Sequence, residues 1–227
     1  MKTTEQSTRN KDVLIFPHIP KTGGTSIRKF LEKTEKDIFF DYDHPVGFKP
    51  YSIKMSEKRN WDFSKLDFSP FDMVFGHFPL KRYHTYDRNV ILLLRNPVER
   101  VISNFYYWKD ILPVSNQLAL SRNPEILEIK EGRIDVLQFA TITKQNEVYQ
   151  RVLGRPNTQD FRLVGFTDNL DEFVEKLSGI LDAPNKPLGK ERENVSKPKL
   201  SPEIIDKLKA FLVDDIYWFN AQKEIWA

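Results

Sequence analysis

Residues 13–28, VLIFPHIPKTGGTSIR, carry an uncharged, β-favouring run into a Lys-Thr-Gly-Gly-Thr-Ser turn and out into residues spaced like a helix. Val13, Leu14, Ile15 and Phe16 read as a strand buried on both faces, the habit of parallel sheets. Gly23 and Gly24 remove the side chains that would keep an anion away from the backbone. Thr25 or Ser26 is expected to cap the following segment, where Ile27, Phe30 and Leu31 recur at helical spacing. The leftover N–H groups and the dipole of a helix start attract phosphate or sulfate, so this junction implies an anionic ligand.

The order of the residues narrows that ligand. A nucleoside-triphosphate loop sets Lys-Ser or Lys-Thr directly after its last glycine, whereas here Lys21 precedes the glycine pair and Thr25 follows Gly24. A second junction of the same build lies downstream. Residues 89–94, NVILLL, form another uncharged run that stops at Arg95-Asn96-Pro97, with Asn96 expected as helix cap and Pro97 as first helical residue. Val98, Val101, Ile102, Phe105 and Tyr106 then fall at i, i+3, i+4, i+7 and i+8, the stripe expected to be buried. Arg95 thus stands at the carboxyl end of a strand and Ser103, off the stripe, about two turns along the helix. Both can face a ligand at the sheet edge where α/β proteins bind them. An Arg suits a phosphate there because its planar fork makes two charge-assisted hydrogen bonds.

PKTGGTS after a hydrophobic strand resembles the 5′-phosphosulfate loop of sulfotransferases that use 3′-phosphoadenosine 5′-phosphosulfate (PAPS), especially the carbohydrate enzymes related to heparan sulfate 2-O- and 6-O-sulfotransferases. LLLRNPVERVISNFYYW is similar to the 3′-phosphate motif of the same family. The resemblance implies a P-loop-type α/β fold, a parallel central sheet flanked by helices in a three-layer sandwich. It implies PAPS as sulfuryl donor with no metal required. Pro20, Lys21, Thr22, Gly23, Gly24, Thr25 and Ser26 would surround the 5′-phosphosulfate, and Arg95 and Ser103 would hold the 3′-phosphate. The family also places a nucleotide-covering segment with an Asn-x-Ser/Thr core ahead of its C-terminal helix. Asn194-Val195-Ser196-Lys197 resembles it, which adds Asn194, Ser196 and Lys197 to the cofactor-binding candidates. Residues 146–154, NEVYQRVLG, resemble a family helix near the acceptor, where Gln150 and Arg151 would face the site.

Sulfuryl transfer to an alcohol needs a base for the hydroxyl proton and a cation for the charge gathering on the leaving oxygen. Of the four histidines, His77 is best placed, because FGHFPLK follows a strand whose end should line the same crevice as the phosphate loop. Its setting resembles the Gly-His pair that carries the catalytic base in the 2-O-sulfotransferases. His84 is the reserve candidate, His18 is expected to shape the loop, and His44 has no motif around it. Lys21, ahead of the glycines, can act as a mobile point charge on the departing nucleotide. Scattered histidines and the absence of cysteine argue against a metal site.

Composition agrees. A chain of 227 residues with 40% hydrophobic and 13% aromatic content can bury one α/β core and is not a disordered protein. A net charge of +3 suits an anionic cofactor and lacks the dense basic clusters of a nucleic-acid binder. The stretch MKTTEQSTRNKD reads as a polar tail over residues 1–12, ahead of a single domain over 13–227. No run approaches the roughly 20 apolar residues of a membrane span. With no cysteine, the expectation is a soluble, cytoplasmic and bacterial protein.

Further strands are expected at 37–42 (DIFFDY), 72–76 (DMVFG) and 161–166 (FRLVGF). Residues 44–71 read as irregular, and 110–160 as mostly helical with breaks at Pro113, Pro124 and Gly154. A helix carrying Leu170, Phe173, Val174, Leu177 and Leu181 follows, then a basic loop over 186–202, then one long helix with Ile204, Leu208, Phe211, Leu212 and Phe219 on one side. The acceptor stays open among an oligosaccharide, a lipid-linked glycan and a small hydroxylated metabolite, with a glycan or glycolipid as the expectation, Tyr107, Trp108, Lys81 and Arg82 as candidate contacts and Tyr106 assigned to the core. A P-loop kinase-like phosphotransferase and a non-catalytic nucleotide-binding protein are the rival classes. A kinase would need Lys-Ser/Thr after the glycines and a carboxylate near a strand end.

Overall fold

The apolar runs become parallel strands. The structure, a computed structural model, describes residues 13–42, 67–86, 88–113, 115–116, 120–121, 123–184, 188 and 199–226. Its strands are β1 (Leu14–Pro17), β2 (Ile38–Asp41), β3 (Met73–Gly76), β4 (Ile91–Leu94) and β5 (Leu163–Phe166). β3 lies between β1 and β2, with Met73 opposite both Leu14 and Ile38. β4 pairs with β5, Ile91 opposite Leu163. A parallel bridge from Ile15 to Val90 joins the two groups, and Ile15 N–H donates to the Asn89 carbonyl at 2.9 Å. The order across the sheet is β2-β3-β1-β4-β5. All carboxyl ends therefore share one edge, with β1 and β4 as neighbours.

The helices are α1 (Gly24–Glu32), α2 (Pro97–Tyr106), α3 (Glu125–Lys130), α4 (Val136–Ile142), α5 (Val148–Leu153), α6 (Leu170–Leu181), α7 (Pro202–Phe211) and α8 (Val213–Trp226). Alternation along each strand assigns them to faces. Leu14, Phe16, Phe40, Phe75 and Leu93 pack against Ile27, Phe30 and Leu31 of α1 and Phe173, Val174 and Leu177 of α6. On the other face Leu92, Leu94 and Val164 meet Val148, Tyr149 and Leu153 of α5 and Trp218 and Phe219 of α8. Val13, Ile15 and Val74 meet Phe68, Phe78 and Tyr83. This is the expected three-layer sandwich, its strands apolar throughout because helices or loops cover both faces.

Three local expectations need correction. Helix α1 starts at Gly24 with Gly23 as its cap at φ 84, so Thr25 and Ser26 lie in the first turn and do not cap it. Helix α2 is capped as expected, the Asn96 side chain accepting from the N–H groups of Val98 and Glu99 at 3.0 and 3.3 Å. Yet it buries Arg100, Ser103 and Asn104 together with Val98, Val101 and Phe105 of its stripe, and the Arg100 guanidinium is met by Gln145, which accepts from it at 3.0 and 2.8 Å. The expected long C-terminal helix is two helices that break at Leu212, φ −103 and ψ 17. The break lets Leu208 and Leu212 join Val101, Phe105 and Phe139 in a satellite cluster while Trp218 and Phe219 reach the sheet. A single straight stripe cannot serve both. Asn194, Ser196, Lys197 and His44 lie outside the described residues.

Candidate functional site

The turn after β1 is held in a conformation suited to an anion. Lys21 has φ 73, a left-handed backbone that costs a side-chain-bearing residue roughly 1–2 kcal/mol and collects at functional sites. Thr22 steadies the turn: it is buried, its hydroxyl donates to the Ile19 carbonyl at 2.9 Å and its N–H to the same oxygen at 3.3 Å. Gly23 takes the positive φ that starts α1. Gly24 answers a different need, since a Cβ there would stand 1.7 Å from Nε2 of His18. At the start of α1, Gly24 and Thr25 have no helical carbonyl one turn back, so their N–H groups are the natural anion donors. Pro20 and Ser26 are half-buried and Thr25 is exposed along the same turn.

Arg95 arrives from the neighbouring strand. Its Nη1 donates to the Lys21 carbonyl at 3.4 Å and its Nε to Glu99 Oε2 at 3.4 Å. The two motifs separated in sequence are therefore side by side at the carboxyl edge of β1 and β4. The Lys21 ammonium lies 4.1 Å from the centre of the Tyr107 ring, a cation–π contact. Tyr107 opens a single π turn over Tyr107–Ile111, a distortion frequent at functional sites. Ser103, on α2, is only 3% exposed.

His77 follows β3 and is exposed. Its ring centre is 4.6 Å from that of His18 and 4.7 Å from that of Tyr42. His18 is hydrogen-bonded through Nδ1 to the Tyr42 hydroxyl at 2.9 Å and stacks on Phe75 at 5.5 Å. Burial first, then the positive charges of His77, Lys21 and Arg28, hold the His18 imidazole well below the ordinary histidine range. His18 is thus a neutral wall of the loop, in keeping with the shaping role expected of it. Burial likewise raises the pKa of Tyr42, so its hydroxyl keeps its proton.

Several contacts had no local signal in the sequence. Arg82 forms an ion pair with buried Asp41 at 2.6 Å, and the Tyr83 hydroxyl donates to the same carboxylate at 2.9 Å. That accounts for one of the two basic residues considered for the acceptor; Lys81 is exposed. His84 lies in a short 3₁₀ segment, Leu80–Tyr86. Gln150 lines a cavity of about 210 Å³ together with Asn146, Glu147, Arg155, Asp214 and Asp215, whose walls include none of the loop residues, Arg95 or His77. Tyr149, beside Gln150, contacts the backbone of Arg95. Among the described residues no group of three or more His, Cys, Asp or Glu is placed to hold a metal ion, and no helix is long and apolar enough to cross a membrane.

The sequence model described as the sulfotransferase family matches residues 6–220. No curated protein sequence matches the chain. Among solved structures, the chain is similar to a sulfotransferase from Alicyclobacillus acidocaldarius at 16% identity and TM-score 0.46, over 92% of this chain and 95% of that one. It is also similar to the mouse sulfotransferase SULT7A1 complexed with PAP, at 14% identity and TM-score 0.39, over 91% of this chain and 66% of that one.

Proposed function

We propose that this chain, which belongs to the sulfotransferase family, moves a sulfuryl group from PAPS to a hydroxyl of an acceptor, read as a glycan or glycolipid. The observation that carries the reading is the contact of Arg95 Nη1 with the Lys21 carbonyl at 3.4 Å. A nucleotide with phosphates at both its 5′ and 3′ positions needs two anion sites this close, one made of backbone N–H groups and one of a guanidinium. The Gly23-Gly24 turn, which a Cβ at position 24 would block by displacing His18, supplies the cradle for the first.

In this account His77 takes the acceptor's hydroxyl proton as the oxygen attacks sulfur. Lys21 stabilises the bridging oxygen as its bond to sulfur breaks and PAP leaves. His18, kept neutral, adds no second positive charge beside His77, so the base stays competent. Pro20, Thr22, Thr25 and Ser26 complete the 5′ cradle and Ser103 supports the 3′-phosphate, while Asn194, Ser196 and Lys197 are assigned to the nucleotide by the family resemblance alone. The reaction needs no metal. The absence of cysteine suits a reducing compartment such as the cytoplasm.

The kinase-like alternative wants a carboxylate at the sheet edge to organise Mg²⁺. Asp41, at the end of β2, is already engaged by Arg82 and Tyr83. The deciding assay incubates the protein with a panel of hydroxylated glycans and either PAPS or ATP. Sulfated product from PAPS alone is expected. Phosphorylated product, or PAPS left untouched across the panel while ATP is consumed, would refute the reading.

A further inference from the structure

We propose that Tyr149 is a positioning residue for the 3′-phosphate: its hydroxyl latches the backbone of Arg95 and so aims the guanidinium into the donor site. The proposal rests on the PAPS reading above. β4 ends its pairing with β5 at Leu94 opposite Phe166, so Arg95 is the first residue beyond the ladder and its φ and ψ are no longer set by a strand partner. Tyr149 takes the partner's place. Its hydroxyl donates to the Arg95 carbonyl and accepts from the Arg95 N–H at 3.4 Å. One hydroxyl, with a single proton and two lone pairs, can do both.

The latch is itself rigid. Tyr149 is fully buried, with Trp218 at 5.4 Å between ring centres and the Arg100 guanidinium 5.5 Å from its own. Arg100, also fully buried, donates to Gln145 Oε1 at 3.0 Å and to the Gln145 carbonyl at 2.8 Å. Burial pushes the Tyr149 phenol up to about 12, so it stays a donor at any working pH. Arg95 is thereby gripped at both ends, its backbone by Tyr149 and its fork by Lys21 and Glu99. A hydroxyl that served packing alone would not meet both polar groups of the residue assigned to the phosphate.

The test is calorimetry with PAP and with AMP, which lacks the 3′-phosphate, on wild-type protein, Tyr149→Phe, Arg95→Ala and the double variant. Tyr149→Phe keeps the ring and is expected to lose about tenfold in PAP affinity, the scale of one or two hydrogen bonds, while AMP binding is unchanged. In the Arg95→Ala background the same change should cost PAP nothing further. Equal losses for PAP and AMP, unchanged PAP binding, or an additive loss in the double variant would overturn the latch. A wild-type protein that does not prefer PAP over AMP would instead overturn the donor assignment on which the latch depends. Should Tyr149→Phe fail to fold, 3-fluorotyrosine placed at position 149 gives a second readout. Its ¹⁹F resonance should move with PAP and stay put with AMP, and the same response to both ligands contradicts the proposal.

Discussion

The ring centres of His77 and His18 stand 4.6 Å apart in contrasting surroundings, and the proposed function gives the two side chains different tasks. His77 is exposed at the crevice, whereas His18 is wedged between Tyr42, Phe75 and Gly24. His77→Ala should therefore lose about 10²- to 10⁴-fold in turnover, the usual worth of a positioned base, while PAP affinity in the same preparation is retained. Near-normal turnover would reassign the base. For His18 the prediction concerns stability. Its folded pKa is depressed from 6.5, so the unfolded chain takes up the proton first as pH falls below that value. Its contribution is complete above about pH 6.5 and declines toward lower pH, by at most about 1.4 kcal/mol per pH unit. Urea denaturation of wild type and His18→Asn should show their stability gap narrowing between pH 7 and pH 5.5. Parallel curves would show that His18 is not held neutral. Lys21, the glycine pair and Arg95 were legible in the sequence because each sits in a short local pattern. The neutrality of His18, the Asp41–Arg82 pair and the Tyr149 contact were not, since each joins residues brought together only by the sheet.

At the scale of elements, both junctions place their candidate ligand groups through the way a helix starts. α1 begins on a glycine because a positive φ is needed at position 23, and α2 begins on Asn96 because its side chain satisfies two N–H groups. Asn96→Ala should cost about 1 kcal/mol of global stability, measured by urea denaturation, and a change within error would mean the cap is idle. Gly24→Ala should be worse for binding than for helix propensity. Alanine is intrinsically the better helix former, but its Cβ would stand 1.7 Å from His18 Nε2. The expected outcome is weakened PAP binding together with lost stability, and a stabilised variant with intact binding would contradict the packing described for the loop. The α2 stripe was readable, yet burial of Arg100 and Ser103 was not, because periodicity reports one face and α2 is enclosed on several. The break at Leu212 escaped for a related reason: Leu208 and Phe219 look like one stripe in sequence but belong to different clusters.

At the scale of the whole molecule, strand order does the work that no local motif can. β1 and β4 are far apart in sequence and adjacent in the sheet, which is why the Lys21 turn and Arg95 touch. The apolar runs that gave the strands also gave the layers, since strands without a polar face must be covered on both sides. Their order could not be read from the runs themselves, which are nearly interchangeable. The central claim, that the two junctions form one site for a nucleotide carrying 5′ and 3′ anions, is tested most directly by calorimetric titration of wild-type protein and Arg95→Ala with PAP, AMP and ATP. The account predicts that wild type binds PAP more than about tenfold tighter than AMP or ATP, the worth of a charge-assisted phosphate contact, and that Arg95→Ala abolishes that preference. Equal affinity for PAP and AMP in wild type, or tighter binding of ATP, would contradict it.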